Sequence, residues 1–405
     1  MRFTCVHGRQ AVLFTIANAL TAATAPTVSG SNNQVVFINP KDTNVFGPKA
    51  TFRDNTFGTF FNPTNTAPPF FQAFHPSFSS VLGRSPSIKR IASDPTFAFA
   101  HEAPIWLEET DEVTFASNAG GPLGRSDLER NNQVGKISLK EAERMIENGV
   151  KDVNVTVTKF SLPETVQMTN GGTGPVNGSL LLVNSGRGSL PPSIVLANPQ
   201  TPFNATVLLD NYFGRQFNSI NDVKIHPISK AIFFTDPPYG YLNGFRPEPL
   251  LPSQVYRFDP FTGVVSVVAD GFDRMNGIAF TQDGDKVYIG DSGAGGGFLG
   301  NNQTEPATIY AFDVDPVSQT FRNRSVFAFV DTGIPDGLQI DTQGNVYAGC
   351  GDGIHVFNPS GLLIGKIYFG TSVANMVFAG KGRLVVMRET EVYLVTLDAE
   401  GLILS

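Results

Sequence analysis

Five polar residues stand at the start of apolar, strand-like segments and form the candidate site: Glu102, Asn221, Asn276, Asp336 and Asn375. If these strands surround one axis, two carboxylates and three amides point toward the same place. Buried acids in that arrangement repel one another unless a cation lies between them. The pattern therefore predicts a metal site, although a polar residue before a strand can also simply cap a loop.

The ligand type indicates which metal such a site would hold. All five side chains offer oxygen, and neither cysteines nor clustered histidines accompany them in the sequence. Oxygen donors suit one hard divalent ion, Ca²⁺ first, with Mg²⁺, Mn²⁺ and Zn²⁺ fitting less well.

Several other residues are weaker candidates. Asp236 and Tyr239 follow an apolar strand, where they could contact a substrate in the channel or belong to a turn. His101 precedes Glu102 in a segment that looks extended, so alternation predicts that the two side chains point in opposite directions. Cys350 is predicted to be a buried strand residue, and the sequence has no Gly-x-Ser-x-Gly nucleophile motif.

A repeated unit positions the five candidates. A polar residue, a strand, a turn and a second strand recur from Asn221, Asn276, Asp336 and, more weakly, Asn375, at intervals of 55, 60 and 39 residues. These intervals bracket the roughly 40 to 50 residues of one four-stranded propeller blade. Each unit also has an outer turn in which Asp or Asn precedes Pro, at residues 198–199, 259–260, 315–316 and 358–359.

Two earlier strand pairs extend the repeat, and both are interpreted as inner pairs of a blade: 103–106 with 112–117, and 180–184 with 193–198. Residues 95–405 then hold about six units, which predicts an all-β, six-bladed β-propeller. A capping box from Ser138 to Glu141 predicts one short inserted helix over 139–148. Residues 26–94 contain nine phenylalanines between Phe46 and Phe78, and we expect this N-terminal extension to pack on the propeller.

Residues 1–25 resemble a secretory signal, because Arg2 and Arg9 precede an apolar run over 11–20. A frayed terminal segment is the alternative. Asn-x-Ser/Thr triplets support a secreted or secretory-lumen location, and they begin at Asn154, Asn177, Asn204, Asn302 and Asn323. Cys5 lies within the signal, which leaves Cys350 without an intrachain disulfide partner.

The charge balance excludes some partners. The chain has 29 basic and 36 acidic residues, a net charge of −7; loss of the signal removes two basic residues and leaves 27 minus 36, or −9. A surface this acidic is a poor partner for nucleic acid or anionic membrane. The sequence gives no indication of the oligomeric state.

Five motifs resemble, in order, those of the SMP-30/gluconolactonase/LRE-like propellers, which include regucalcin and the fungal lactonohydrolases. They are Glu102-Ala-Pro-Ile-Trp106, Asn221-Asp222, Phe234-Thr-Asp-Pro-Pro-Tyr-Gly240, Asn276-Gly-Ile-Ala-Phe280 and Pro335-Asp-Gly-Leu338. The resemblance runs from about residue 95 to the C-terminus. It departs at Ala103, where the family has Gly, and at Ser219, where several members have a substrate-binding Arg.

By this resemblance Glu102, Asn276 and Asp336 are metal ligands, and Asn221 is a further ligand or a substrate contact. Asp336 is also implied to be the general base. The expected function is a metal-dependent lactonase acting on a small cyclic ester, in which the ion polarises the carbonyl and Asp336 assists water attack. Asn375 and Asp236 are further candidate substrate contacts.

Two other functions are compatible with the same pattern. The propeller could keep its ion for stability and use that face to bind a ligand or a protein, because a fold alone does not determine function. It could also be an enzyme of the strictosidine-synthase-like branch, with different chemistry. A panel of lactones distinguishes these functions from a lactonase.

Overall fold

Six sheets, each with four antiparallel propeller strands, form the body of the protein. The computed structural model describes residues 34–402. In five sheets the four propeller strands follow one another in the chain, and in the sixth an N-terminal strand completes three C-terminal ones. The innermost strands contact one another in sequence, and the last contacts the first, so the sheets form a closed ring. The predicted six-bladed β-propeller is confirmed.

We number the blades from one to six along the chain. Blade 1 contains β4 (Glu102–Leu107), β5 (Glu112–Ala116), β6 (Val134–Ser138) and β7 (Thr158–Lys159). Blade 2 contains β8 (Thr169–Val176), β9 (Ser179–Asn184), β10 (Ser193–Ala197) and β11 (Ala205–Leu209). Blade 3 contains β12 (Val223–Ile225), β13 (Ile232–Asp236), β14 (Gln254–Phe258) and β15 (Val265–Ala269).

The other three blades follow the same plan. Blade 4 contains β16 (Met275–Phe280), β17 (Lys286–Asp291), β18 (Thr308–Val314) and β19 (Phe321–Phe329). Blade 5 contains β20 (Leu338–Ile340), β21 (Val346–Cys350), β22 (Gly353–Phe357) and β23 (Leu363–Tyr368). Blade 6 contains β24 (Asn375–Phe378), β25 (Arg383–Arg388), β26 (Glu391–Thr396) and β3 (Ser87–Ser93).

Strand β3 closes the ring, because it pairs antiparallel with β26 from the other end of the chain. Ile91 is fully buried in this blade and Ile88 is 5 % exposed. The pairing places residues 87–93 inside the propeller, ahead of the boundary predicted at residue 95. Covering the open edge of the last blade in this way leaves fewer unpaired backbone groups.

The preceding part of the extension adds two strands to the outside of blade 5. β2 (Phe70–Ala73) pairs antiparallel with β23, and β1 (Val35–Phe37) pairs parallel with β2. Phe70, Phe71 and Phe78 are buried there, and a Cβ on Gly365 would lie 2.2 Å from the Phe78 ring. Phe46 and Phe52 are instead 51 % and 65 % exposed and contact each other.

Helices are few and short. The predicted inserted helix is α3 (Leu139–Glu147), between β6 and β7; the Ser138 hydroxyl accepts a hydrogen bond from the Glu141 amide at 3.2 Å. The others are α1 (Pro40–Thr43), α2 (Phe78–Leu82) and α4 (Tyr239–Leu242), with 3₁₀ turns at Pro122–Gly124 and Gly297–Leu299. Within residues 34–402, no helix has the length and apolar character needed to cross a membrane.

One predicted strand pair is wrong in position. The pair 180–184 and 193–198 forms the second and third strands of blade 2, and the innermost strand is β8. β8 lacks an apolar pattern because it carries Gly171, Gly172 and Gly174. Gly171 has a physical reason, since a Cβ there would lie 2.4 Å from the backbone oxygen of Asn221 in blade 3.

Candidate active site at the mouth of the channel

Irregular backbone at the start of the inner strands places polar side chains at one end of the channel. The antiparallel pairing shifts register between Glu102 and Ile105 in blade 1 and between Met275 and Ile278 in blade 4. Such bulges re-aim side chains beside a site. The residue after Glu102 is Ala103, with φ +52°, a conformation that glycine adopts most easily. This accounts for glycine as the usual residue at that position.

Two acids form the centre of the site. Potential ligand atoms of Glu102, Asp336 and His101 all lie within 4.8 Å of one another. Glu102 is 3 % exposed and its Oε2 accepts a hydrogen bond from Asn375 Nδ2 at 2.8 Å. Asp336 is partly exposed and is hydrogen-bonded to the Asn276 side chain. The structure thus brings together Glu102, Asn276, Asp336 and Asn375, as the sequence predicted.

Burial raises the pKa of both acids, and neighbouring negative charges raise it further. Burial raises the pKa of Glu102 well above its ordinary value, and the neighbouring Asp336 raises it further. Burial raises the pKa of Asp336 to about 6, although His101 and Asn276 act against this. Each carboxylate is therefore in a place where added positive charge would stabilise its ionised form.

His101 faces the site, so the predicted opposite orientation is wrong. It lies in a bend before β4, where alternation does not apply. Its Nδ1 is 2.7 Å from Glu389 Oε1, and its Nε2 is 3.8 Å from Glu102 Oε1. Burial acts to lower the pKa of His101, but Glu389, Glu102 and Asp336 together raise it to about 10.

Glu389 was not identified from the sequence. It lies in the turn between β25 and β26, and Asn118 from blade 1 donates a hydrogen bond to its Oε2 at 3.0 Å. No motif in the sequence connects this turn with residues nearly 290 positions earlier. Only closure of blade 6 beside blade 1 brings Glu389 to His101.

Asn221 lies at the predicted entrance of the inner strand of blade 3. It is 5 % exposed, and its backbone amide donates to the Thr235 carbonyl at 2.9 Å. The adjacent Asp222 accepts from the amides of Val223 at 2.8 Å and Ile278 at 3.0 Å, which joins blades 3 and 4. The Asp222 charge also raises the pKa of both Glu102 and Asp336.

Blade 2 supplies a polar residue that sequence reasoning missed. Thr169 pairs with Asn184, and the register shifts immediately afterwards, as it does after Met275 in blade 4. Asn170 therefore occupies the position that Asn276 has in blade 4, and it is 9 % exposed. The signal was the polar Thr-Asn pair before three glycines.

Asp236 does not share the environment of the two central acids. It is fully buried, and its two carboxylate oxygens accept hydrogen bonds from the amides of Asn218 at 2.9 Å and Ser219 at 2.8 Å. Asp291 in blade 4 makes the equivalent bonds to the amides of Asp273 and Arg274. Two blades thus use an aspartate to fix the loop that leads into the inner strand. Burial raises the pKa of Asp236 to about 7.

Ser219 also has a local role, because it is 1 % exposed and its hydroxyl accepts from the Gly240 amide at 2.8 Å. That bond fixes the start of α4, whose first residue is Tyr239. The Tyr239 hydroxyl donates to the Ser292 carbonyl at 3.2 Å. Burial and the Asp336 charge raise the pKa of Tyr239, so its hydroxyl stays neutral and lies beside the site.

The residues at the channel mouth fit a hard divalent cation. The two carboxylates come from blades 1 and 5, and the Asn276 and Asn375 side chains reach them from blades 4 and 6. Four acids lie at or beside the site, Glu102, Asp222, Asp336 and Glu389, and His101 and Lys224 are the basic groups that contact them among the described residues. Glu102, Asp336, Asn276 and Asn221 are the oxygen donors that would hold the ion.

Other predicted residues lie away from the channel mouth. Cys350 is 2 % exposed in β21, and burial raises the pKa of its thiol well above the ordinary value. All five asparagines of the Asn-x-Ser/Thr triplets are exposed. The predicted signal, residues 1–25, lies outside the described residues.

Comparison with known proteins places this architecture in a family. The SMP-30/gluconolactonase/LRE-like region matches residues 100–387. The chain is 27 % identical over 318 residues to lactonohydrolase oryL of Aspergillus oryzae, covering 75 % of this chain and 68 % of the relative. It is 27 % identical over 319 residues to the gluconolactonase of Zymomonas mobilis, covering 76 % and 81 %.

A solved structure shows the same fold. The gluconolactonase from Xanthomonas campestris superimposes with a TM-score of 0.61 at 24 % identity, covering 80 % of this chain and 93 % of that one. The family match runs from blade 1 into blade 6, and it includes each of the motifs on which the resemblance was based. The chain belongs to the SMP-30/gluconolactonase/LRE-like family.

Proposed function

We propose that this protein is a metal-dependent lactonase that hydrolyses a small cyclic ester at the mouth of its channel. The observation that carries the proposal is the pair of crowded acids, Glu102 and Asp336, with amides from neighbouring blades around them. The lactonohydrolase and gluconolactonase relatives support the same reaction.

A divalent cation bound there would polarise the lactone carbonyl and offset the negative charge that develops on its oxygen. Ca²⁺ fits the oxygen donors best, ahead of Mg²⁺ and Mn²⁺. Zn²⁺ fits less well, because the side chains proposed to bind the ion offer oxygen and not nitrogen or sulfur. Glu102 is 3 % exposed, which suits it to holding the ion more than to meeting a substrate.

Asp336 has the properties of the general base. It is the more accessible of the two acids, so an attacking water can approach it, and its ionised carboxylate can accept the water proton. Water oxygen bonds to the carbonyl carbon as Asp336 accepts the water proton. The ring C–O bond then breaks, the proton passes to the ring oxygen, and a hydroxy acid is released.

The neighbours of the acids have positioning roles. Asn375 holds Glu102, and Asn276 holds Asp336. Asn221, at the entrance of blade 3, is proposed to hold the ion or contact the lactone. Tyr239, whose hydroxyl donates to the Ser292 carbonyl, is proposed to lie beside the substrate.

The test is hydrolysis of a panel of sugar, aliphatic and aromatic γ- and δ-lactones, with and without chelator, by the wild type and Asp336→Asn. We expect chelation to abolish hydrolysis and Ca²⁺ to restore it. Asp336→Asn removes the base and one ligand charge together, so the rate should fall at least about 10³-fold. Asp285→Asn, the same change in an exposed turn at the other end of blade 4, is the control.

Two results would contradict the proposal. Full activity of Asp336→Asn would exclude the mechanism. A folded wild type that hydrolyses none of the lactones would instead favour a propeller that only binds a ligand or a protein on this face.

We also propose that the protein is secreted and glycosylated. The N-terminal residues 1–25 and the exposure of all five candidate acceptor asparagines support this. Expression in a eukaryotic secretory host, followed by glycosidase treatment, should shift the electrophoretic mobility of the protein recovered from the medium.

A further inference from the structure

The loop that carries Asp336 is held from outside the propeller. This loop, residues 331–336, runs from the end of blade 4 to the inner strand of blade 5. Its first three residues contact the N-terminal extension. The extension therefore touches the proposed site through the chain segment that precedes its general base.

Arg53 makes most of this contact. Its Nη2 donates to the Asp331 carbonyl at 2.8 Å and to Asp331 Oδ2 at 3.1 Å. Its Nη1 donates to Thr332 Oγ1 at 3.1 Å and to the Thr59 carbonyl at 3.3 Å. The Gly333 amide in turn donates to the Thr56 carbonyl at 2.8 Å. The planar guanidinium thus binds two consecutive loop residues at once.

Blade 5 holds the other side of the same loop. Lys366 Nζ donates to Asp331 Oδ1 at 2.7 Å and to Asp352 Oδ2 at 2.8 Å. The Gly351 amide donates to the Thr332 carbonyl at 3.0 Å. Asp331, Asp352 and His355 have the spacing of a metal site, but Lys366 and Arg53 already balance the two carboxylates. This cluster is therefore a structural clamp.

The rest of the loop has little freedom to absorb a displacement. Gly333 has φ +66°, and a Cβ there would lie 2.8 Å from the Cα of Gly351. The Pro335 carbonyl accepts from the Ser292 hydroxyl at 2.5 Å, and the Asp336 amide donates to the Gly349 carbonyl at 2.8 Å. A displacement of residues 331–333 must therefore be absorbed by the short segment before Asp336, or it displaces Asp336 itself.

We propose that Arg53 is a positioning residue for Asp336, and that it sets the metal affinity of the site from the N-terminal extension. The inference rests on the proposed function, because it assigns Arg53 a role at the same metal site. The extension is then part of the working enzyme. Its link to the loop depends on a fork of hydrogen bonds that lysine cannot reproduce.

The test compares Arg53→Ala, Arg53→Lys and the control Lys49→Ala, which removes the same charge from an exposed position in the same segment. Ca²⁺ affinity is measured by isothermal titration calorimetry on the chelator-treated full chain, alongside kcat, KM and thermal unfolding in chelator. We expect Arg53→Ala to raise the Kd for Ca²⁺ about tenfold, the lower end for groups that orient metal ligands.

The other readouts separate positioning from general stability. Arg53 and Asp331 are 25 % and 34 % exposed, so losing their ion pair should shift the unfolding temperature in chelator little. At subsaturating Ca²⁺ kcat should fall while KM changes less, and saturating Ca²⁺ should restore much of kcat. Arg53→Lys should recover part of the affinity, and Lys49→Ala should match the wild type.

Each failure has a distinct signature. An unchanged Kd in Arg53→Ala, with Ca²⁺ binding lost in Asp336→Asn, overturns the role of Arg53 and leaves the proposed site intact. A wild type that binds no Ca²⁺ and ignores chelator overturns both. If Arg53→Ala does not fold, Thr332→Val removes one acceptor of the fork with little change in shape, and a wild-type Kd in that variant overturns the inference.

Discussion

The central acids of the site favour metal binding but destabilise the folded protein when no metal is bound. Glu102 is almost fully buried beside Asp336, and its pKa is raised because its ionised form is poorly stabilised there. Ionised carboxylates at such a place cost folding free energy until a cation binds. The same residue is therefore expected to favour metal binding and to weaken the metal-free protein.

The variant Glu102→Gln should separate the effect of Glu102 on metal binding from its effect on the stability of the metal-free protein. In chelator the variant should be at least as stable to thermal unfolding as the wild type, because an amide replaces a repelled carboxylate while Asn375 keeps an oxygen acceptor. In excess Ca²⁺ it should be less stable than the wild type, since it no longer gains binding free energy. Thermal unfolding with and without Ca²⁺ measures both effects.

The control is Glu108→Gln, an exposed position at the other end of the same strand pair. It should follow the wild type in both conditions. If Glu102→Gln gained as much stability from Ca²⁺ as the wild type, Glu102 would not be a ligand.

Single residues were predictable where their neighbours in sequence determine their environment. Glu102, Asn276, Asp336 and Asn375 each begin an apolar strand, and that local pattern predicts convergence on one axis. Glu389 lies on a turn with no such pattern, so its contact with His101 depends on ring closure.

Asp236 is the opposite case, because its local sequence pattern indicated a site residue although its environment in the fold is different. Its position at a strand end resembles that of a site residue, but backbone amides of its own blade take both of its oxygens.

Among the elements, the inner strands differ in how clearly the sequence marks them. The innermost strand β16 carries an apolar run that favours a strand, and so does β25, which lies next to the innermost strand of blade 6. β8 lies so close to the backbone of blade 3 that it requires glycine there. Because glycine replaces apolar residues, the hydrophobic pattern that marks a strand in the sequence is absent from β8. Strand pairs are therefore predictable from hydrophobic pattern, whereas the innermost position also depends on the room between blades.

Strands β22 and β23 of blade 5, with the turn before β22, contain a buried charge cluster that should make stability depend on pH. Asp352 is fully buried between His355, at 2.7 Å, and Lys366, at 2.8 Å. Burial acts to raise the pKa of Asp352, but His355 and Lys366 outweigh it and hold the pKa far below the ordinary value. Its stabilisation is therefore complete above about pH 4 and is lost as the pH falls below that.

Asp352→Asn should lower the free energy of unfolding at pH 7 by about 3 to 5 kcal/mol, because it leaves Lys366 buried with a weakened ion pair. Between pH 4 and pH 2 the variant should lose less stability than the wild type. Urea unfolding at several pH values measures both. Asp313→Asn, which breaks an exposed pair with Lys286, is the control and should change little. Parallel pH profiles of wild type and Asp352→Asn would contradict this account.

At the scale of the whole molecule, the repeat predicted six blades, but it did not show how the ring closes. β3 lies in a segment without the repeated polar residue and turn, so sequence pattern assigned it to the extension. Its place in blade 6 follows from pairing with β26. That pairing joins residues about 300 positions apart, which a local pattern cannot show.

Closure should make the propeller a cooperative unit that depends on β3. Ile88 and Ile91 in this strand are 5 % and 0 % exposed. Losing two such side chains costs about 4 to 10 kcal/mol, close to the roughly 5 to 15 kcal/mol that stabilise a typical domain. The exposed edge of β26 would add a site for aggregation.

A chain that begins at residue 94 should therefore fail to give soluble, cooperatively unfolding protein, whereas one that begins at residue 34, and so keeps β3, should be soluble and unfold cooperatively. Solubility and the sharpness of thermal unfolding are the measurements.

A double variant of the full chain, Ile88→Ala with Ile91→Ala, tests the same packing without removing the extension. It should lower the unfolding temperature of the whole propeller in a single transition. A separate early transition for blade 6 would instead show that the blades unfold independently, since in a closed ring the loss of one blade edge must weaken both of its neighbours.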